Sequence, residues 1–362
     1  MSDAIRGLES AGWVRNVGVT TGNLGRSAAL YEIDARVGAV LAIDVGASRC
    51  KLVLSDVLGR PLAKRELHAD ALDATGLLNE LQTQARDLVR EAADGRSLKG
   101  ACLATPGVVN PDTGYLTLAP NLPALAGVDL VAILGDALGC PISVENDINA
   151  AVLGERWQGR ARDCDFAAYI GLGTGVGLGL VAGGHLMRGA TGAAGEVSYL
   201  PLGQDSLAPQ SIERGALESA LGIPGALAEF YDAGSSTATI QNFVAALESG
   251  DARARRALAA IGELGALLTL SVQAMFDPEV VVVGGRLGLV APVFRAITTQ
   301  LARRTGRQIN LVPSALGLEA TVTGATFVAI TDMYNRTFST PGLPQDWPLP
   351  VPQSGSVESS LS

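Results

Sequence analysis

Aromatic side chains make up only 4% of this 362-residue sequence, so its cores must be filled by Ala, Val, Leu and Gly. Basic charge is scarce too. Lys and Arg number 27 against 36 Asp and Glu, a formal charge of −9. That balance excludes a whole-surface nucleic-acid binder and confines any DNA contact to a small local patch. The four cysteines (Cys50, Cys102, Cys140, Cys164) include no CxxC pair and have no histidine at ligand spacing. They read as reduced, mostly buried thiols of a cytoplasmic protein. The start lacks the apolar core of a signal peptide. Residues 166–184 carry no charge, but seven of those 19 are glycine. The run Gly171-Leu-Gly-Thr-Gly-Val-Gly177 interrupts it as a turn would, which predicts two buried strands in a hairpin and no membrane span.

What is abundant is glycine, 44 residues, about 12% against a usual ~7%; many tight turns and close backbone approaches follow. The length suffices for two lobes, each with its own core. Residues 2–12 have helical spacing, with Ile5 and Leu8 on one side. Residues 13–18 and 28–33 predict two short strands around the turn Thr21-Gly-Asn-Leu-Gly25-Arg26-Ser27. A helix followed by a long hairpin is the second half of a winged helix. Strands are then expected at 39–45, 50–55 and 61–68, a helix at 71–93, and strands at 100–105 and 141–144. A helix from Asp147 to about Trp157 closes this half.

The second half repeats the plan. A hairpin at 165–172 and 175–182 leads into helices through residue 275, a buried strand at 279–283, and a helix at 290–304. A strand near 309–312 and a last helix at 321–334 follow. Residues 336–362, rich in Pro and Ser, predict a disordered tail. Two halves that each open on a glycine-turned hairpin would set two phosphate-approaching loops across one cleft.

Several residues carry candidate chemistry. In Ile43-Asp44-Val45-Gly46-Ala47-Ser48-Arg49, Asp44 ends a strand before a turn with free N–H groups, which suits Mg²⁺ and a phosphate tail; an Asp satisfying a tight turn reads equally well. The turn Gly173-Thr174-Gly175 lets phosphate oxygens approach without Cβ collisions, although glycine hairpins are common. Asp147, in Glu145-Asn146-Asp147-Ile148-Asn149, is either a helix N-cap or a general base for a sugar hydroxyl, with Asn146 able to hydrogen-bond the ring. Glu196 ends a flexible glycine loop that begins at Gly189. It is either an exposed carboxylate or an acceptor for two sugar hydroxyls, and Glu218 invites the same comparison.

Taken together, these motifs resemble the ROK family of repressors, open reading frames and sugar kinases. The resemblance rests on Asp44-Val-Gly46, Thr105-Pro-Gly-Val-Val-Asn110, Ala119-Pro-Asn121-Leu122 and Glu145-Asn-Asp-Ile-Asn-Ala-Ala151. It continues through Gly171 to Gly177, Gly195-Glu196 and Val282-Val-Gly284-Gly285. It implies an α/β, two-lobed, actin-like ATPase fold of the sugar-kinase type at residues 37–335. Lobe one would span about 37–150 plus the final helix, and lobe two about 151–320. It also implies sugar contacts through Asn121, Asn146, Asp147, Glu196, Ser198 and Glu218. Asp147 would be the base of a kinase, with nucleotide or phosphate contacts at Asp44, Gly46, Ser48, Gly173, Thr174, Gly175, Gly284 and Gly285.

The family's structural zinc set is not matched. The place of its histidine two residues after Glu196 is Ser198, no cysteine follows Cys164, and the only histidines are His68 and His185. A tetrahedral site needs four such ligands, so no zinc is expected. Ala47 replaces the second glycine of the family's first turn, where a Cβ crowds a phosphate. ATP and Mg²⁺ are therefore expected only if kinase activity remains. Residues 1–36 resemble the end of a recognition helix and the wing of the family's winged-helix repressors, with Arg6 and Arg26 as DNA contacts. The preceding helices of that motif are not matched, so a truncated start is expected, the alternative being a vestigial extension packed on the kinase-like domain.

The leading expectation is a cytoplasmic, dimeric, sugar-responsive transcriptional regulator binding a hexose or amino sugar and operator DNA. The alternatives are an ATP-dependent hexose kinase and a pseudo-kinase scaffold.

Overall fold

The computed structural model describes residues 2–20, 28–46, 48–68, 73–110, 113, 115–117, 127–228, 230–231 and 239–338. The chain opens with α1 (Ser2–Ser10) and the antiparallel hairpin of β1 (Val14–Val19) and β2 (Ala29–Ile33). Strands β3 (Ala39–Val45), β4 (Arg49–Asp56) and β5 (Pro61–His68) form a meander. Then come α2 (Ala74–Ala92), β6 (Leu98–Thr105), the short pair β7 (Val108–Val109) and β8 (Leu116–Thr117), and α3 (Leu130–Leu138). Strand β9 (Ile142–Asn146) runs straight into α4 (Asp147–Gln158).

The second half begins with β10 (Ala167–Leu172), β11 (Val176–Ala182) and β12 (His185–Leu186). Helices α5 (Pro209–Arg214), α6 (Ala216–Leu221), α7 (Ile223–Ala226), α8 (Ile240–Glu248) and α9 (Ala252–Phe276) follow. The chain continues through β13 (Val280–Gly284), α10 (Gly285–Gly288), α11 (Ala291–Arg304), β14 (Leu311–Pro313) and α12 (Ala320–Phe338).

Among the described residues these strands make two five-stranded sheets of matching plan, β5-β4-β3-β6-β9 and β12-β11-β10-β13-β14. In each, the first three strands in chain order make two antiparallel pairings, a meander, and the two later strands add in parallel on the other side. Central strands read as unbroken apolar runs because both faces are covered: Ala39 to Ile43 of β3 and all of β13 are buried. Helix α9 is long and apolar enough to cross a membrane by length and composition. Its Ala254, Ala257, Ile261, Leu268 and Val272 lie in the core beneath the second sheet.

Helix α4 joins the two halves. Residues Asn149 to Glu155 and Trp157 are all buried, as a helix covered on every side must be. Ala150, Leu153 and Trp157 pack with α12 against the first sheet, while Ala151 and Val152 pack against the second. Crossing this closely needs missing side chains: a Cβ on Gly154 would overlap the Ala320 carbonyl oxygen, and one on Gly324 the Ala150 carbonyl oxygen. The far end of α12 holds the N-terminal segment. Trp13 meets Phe338 edge-on at 4.8 Å between ring centroids and Tyr334 at 6.2 Å.

Several boundaries differ from expectation for local reasons. The strand expected at 279–283 starts at Val280, because exposed Glu279 instead accepts the Asp165 and Phe166 N–H groups at 2.8 and 2.9 Å. A lobe boundary at residue 150 would cut α4. The last helix continues through Phe338, three residues into the stretch expected as tail, since Phe338 packs on Trp13; the rest of 336–362 lies outside the described residues. So does the tip of the N-terminal hairpin, including Arg26.

The crossing makes a sharp test. Gly→Ala in a helix ordinarily gains about 1 kcal/mol, yet Gly324→Ala is expected to lose about 3 kcal/mol through overlap with a carbonyl that cannot retreat. Gly306→Ala, whose Cβ would meet nothing within 4 Å, should stay within about 0.5 kcal/mol of wild type. Denaturant unfolding of both variants decides, and equal effects would contradict the account.

Candidate functional site

Strand β3 carries Asp44 near its C-terminal end, next to the turn into β4. Its partner across β4 is Lys51, whose Nζ donates to Glu319 at 2.5 Å and to the Leu318 carbonyl at 2.8 Å. Burial pushes the Asp44 carboxyl up to about 7, the Asp147 charge adds to this, and Lys51 opposes it. Beyond Asp44 the turn is partly closed on itself, since Gly46 donates its N–H to the Arg49 carbonyl at 3.0 Å. Ser48 is half-buried there; Ala47 lies outside the described residues.

The second contribution comes from the β9–α4 junction. The helix cap is Asn146, not Asp147: the Asn146 side-chain oxygen accepts the Ile148 and Asn149 N–H groups at 2.9 and 3.0 Å. Its Nδ2 donates to the Gly107 carbonyl at 2.9 Å. Asp147 is thereby the first helical residue, its carboxylate accepting the Ile148 N–H at 2.9 Å and its own backbone N–H. Burial pushes its carboxyl up to about 6, with the Glu218 charge adding to the shift.

The second half supplies Glu196, Ser198 and Glu218. Burial raises the Glu196 carboxyl, the charges of Asp147 and Glu218 raise it further, and a hydrogen bond with the Ser198 hydroxyl opposes them. Ser198 is buried. Glu218 is also raised by burial, against the Val176 N–H and Arg214. The loop expected to be flexible is pinned instead. Gly192 (φ +86) and Gly195 (φ +89) sit where any Cβ would overlap the Val109 and Leu178 carbonyl oxygens. Asp147 is common to these half-buried acids: its charge raises Asp44 and Glu196, and the Glu218 charge raises Asp147 and Glu196.

The glycines of the second hairpin have mixed reasons. Cβ atoms on Gly171, Gly177 and Gly179 would strike Ile148, so these residues let the first turn of α4 lie on the hairpin. Gly175 faces Glu218, whose Oε2 accepts the Val176 N–H at 3.2 Å. Gly173 donates its N–H to the Gly175 carbonyl at 2.9 Å, and Thr174 is exposed at the tip. A Cβ on Gly284 would overlap the Tyr169 hydroxyl and one on Gly285 the Leu172 backbone, so internal packing alone requires both glycines.

Oxygen donors at Asp44 and Asp147 fit a divalent cation. The phosphate cradle fits less well, because the Gly46, Gly173 and Val176 amides are already bonded. Among the described residues no group of three or more His, Cys, Asp or Glu side chains is placed to hold a metal ion. Asn121 and Arg26 lie outside the described residues. Arg6 is exposed on α1, paired with Asp3 at 2.6 Å, away from the acid cluster's elements.

Sequence reasoning passed over Glu145, Arg188, Lys51 and Glu319. Buried Glu145 accepts from Arg188 at 2.6 Å, and in the sequence it stood only as the first residue of the motif that carries Asp147.

Two sheets of one plan, bridged by α4 and α12 with acids at their junction, define an α/β fold of the actin-like, sugar-kinase type. The chain belongs to the ROK family, whose profile matches residues 40–332. It is 24% identical over 350 residues to the xylose repressor of Caldicellulosiruptor bescii, covering 90% of this chain and 86% of that one. The ROK hexokinase of Thermus thermophilus is 28% identical with a TM-score of 0.69, covering 82% of this chain and 99% of that one. A ROK family transcriptional regulator, a homolog of the E. coli MLC protein, superposes with a TM-score of 0.72 at 22% identity, covering 92% and 88%. Relatives are therefore both repressors and sugar kinases.

The raised Asp147 carboxyl carries a stability signature. Its folded value lies above its ordinary 3.8, so the unfolded chain gives up this proton first. The native state loses stability as pH rises from about 4 to about 6, and the loss then persists. Asp147→Asn keeps the acceptor for the Ile148 N–H and removes the charge. Its Tm should exceed wild type by roughly 3–6 °C near pH 8 and match it near pH 4. A uniform drop at both pH values would contradict the burial described.

Proposed function

We propose that this protein is a sugar-responsive transcriptional regulator that binds a hexose or amino sugar between Asn146 and Asp147 on one side and Glu196, Ser198 and Glu218 on the other. Half-buried carboxylates with raised proton affinity are good acceptors for paired sugar hydroxyls, and a neutral polyol relieves none of them by charge, so hydrogen bonding must set specificity. Asn121, which the family resemblance adds to this set, completes the proposal.

The observation that carries the regulatory half is mechanical continuity. Asp147 starts α4, α4 touches α12 backbone to backbone, and the end of α12 grips Trp13 at the base of the N-terminal hairpin. A sugar that draws the two sheets together shifts the block between them, and with it α1 and the hairpin. Those elements carry Arg6 and Arg26, the proposed operator contacts, in a dimer whose arms are reoriented. The greater structural coverage of this chain by the ROK transcriptional regulator, 92% against 82% for the hexokinase, supports the same reading.

A specific observation favours a second reading. Asp147, pushed up to about 6, is well placed in proton affinity to act as the base of a hexose kinase near neutral pH. Asp44 would then hold Mg²⁺ beside the nucleotide. The amides already bonded within both turns weigh against it.

Thermal unfolding with D-glucose, D-xylose and N-acetyl-D-glucosamine, run beside a coupled ATPase assay, separates the two. The regulator reading expects at least one sugar to raise Tm by a few degrees, about what [L] of roughly 100 Kd supplies. That shift should vanish in Asp147→Asn, with no turnover above blank. Sugar-dependent turnover abolished by Asp147→Asn, with an acid limb near pH 6, would establish the kinase instead.

A further inference from the structure

Arg188 and Glu145 form a pair that the sugar site as described does not use. Glu145 is the penultimate residue of β9, one before the Asn146 cap of α4, and its side chain is only 4% exposed. Four donors converge on it. Arg188 gives both Nε and a terminal N–H to Oε2, at 3.0 and 2.6 Å. The Asn146 backbone N–H and the Asn149 Nδ2 reach Oε1 at 3.0 and 3.1 Å. One carboxylate therefore joins three pieces of chain: the end of the first sheet, the first turn of α4, and the entrance of the loop that carries Glu196.

That loop is short and internally determined. The Ala194 N–H donates back to the Arg188 carbonyl at 3.1 Å, and Gly192 and Gly195 press on Val109 and Leu178. Where Arg188 is fixed, Glu196 is fixed as well. Asp147 and Glu196 come from opposite halves of the molecule, and this pair is a charged contact that crosses between their supporting segments. Two N–H groups of one planar guanidinium set orientation as well as distance, which an ammonium on a flexible stem does not.

We propose that Arg188 is a positioning residue for the sugar site: through Glu145 it sets the separation of Glu196 from Asp147, and so which hydroxyl pairs can be bridged. The proposal rests on the sugar-binding reading. A purely structural alternative exists, in which Arg188 only neutralises a buried carboxylate, and the test is built to separate them.

Arg188→Lys keeps the positive charge and loses the paired N–H geometry. Glu145→Gln combined with Arg188→Met removes both charges. Each is compared with wild type by hydrogen exchange of amides 189–196 without sugar. Each is then titrated with D-glucose, D-xylose and N-acetyl-D-glucosamine, followed by Tm and calorimetry. Positioning predicts faster loop exchange in both variants, with an unliganded Tm near wild type for Arg188→Lys. It also predicts roughly tenfold or greater weakening of whichever sugar binds wild type, with altered preference among the three. Wild-type exchange and affinity in Arg188→Lys would overturn it, as would recovery of both in the doubly neutral variant. Should no sugar stabilise wild type, the sugar reading fails, and unchanged loop exchange would overturn the positioning role on its own.

Discussion

Helix α4 lies between two sheets with scarcely a face left to water, and at Gly154 and Gly324 its backbone and that of α12 meet without side chains between them. Burying apolar surface on every side of α4 is what holds the two halves together. The same burial takes Asp147, at its first turn, out of bulk water. The site's electrostatics therefore follow from packing. Carboxyls delivered from strand ends and loops of both halves meet at one junction, and desolvation, more than mutual repulsion, raises their proton affinity.

This arrangement also explains why the site is costly to keep and why its surroundings are so heavily bonded. Asn146 spends its acceptor on the helix cap and one of its donor hydrogens on Gly107. Glu145 is met by four donors, and Lys51 is shared between the Asp44 side of β4 and Glu319. A cluster of acids that destabilises the fold persists only where neighbours over-determine its geometry. Such surroundings suit recognition of a neutral, hydroxyl-rich ligand, because the acceptors are already aimed before it arrives.

Much of the fold was legible in the sequence. Unbroken apolar runs such as 39–43 and 280–283 could only be strands covered on both faces, and two glycine-turned hairpins at matching places announced the repeat. Asp44, Asp147 and Glu196 were singled out as candidates by an ordered series of motifs, none of them specific alone, and Glu218 only as a lone acid that the family resemblance added. What could not be read was why each small residue is small. Gly171 and Gly177 look like parts of a phosphate loop, yet with Gly179 they make room for Ile148, a partner defined only once α4 is folded onto the hairpin. Glu145 and Arg188 were illegible for a related reason: 43 residues of chain separate them, and no local pattern connects a strand-end acid to a distant arginine. The left-handed turns at Gly192 and Gly195 likewise look flexible until the carbonyls they press against are in place.

The central claim is that occupancy of the acid junction is felt at the N-terminal hairpin through α4 and α12. The chain has three tryptophans, Trp13, Trp157 and Trp347, so protein labelled with 5-fluorotryptophan gives three ¹⁹F signals, assigned by Trp13→Phe and Trp347→Phe. Titration with a stabilising sugar is predicted to move the Trp157 and Trp13 signals together along one saturation curve. A Trp13 signal that stays fixed while sugar saturates the site would contradict the account.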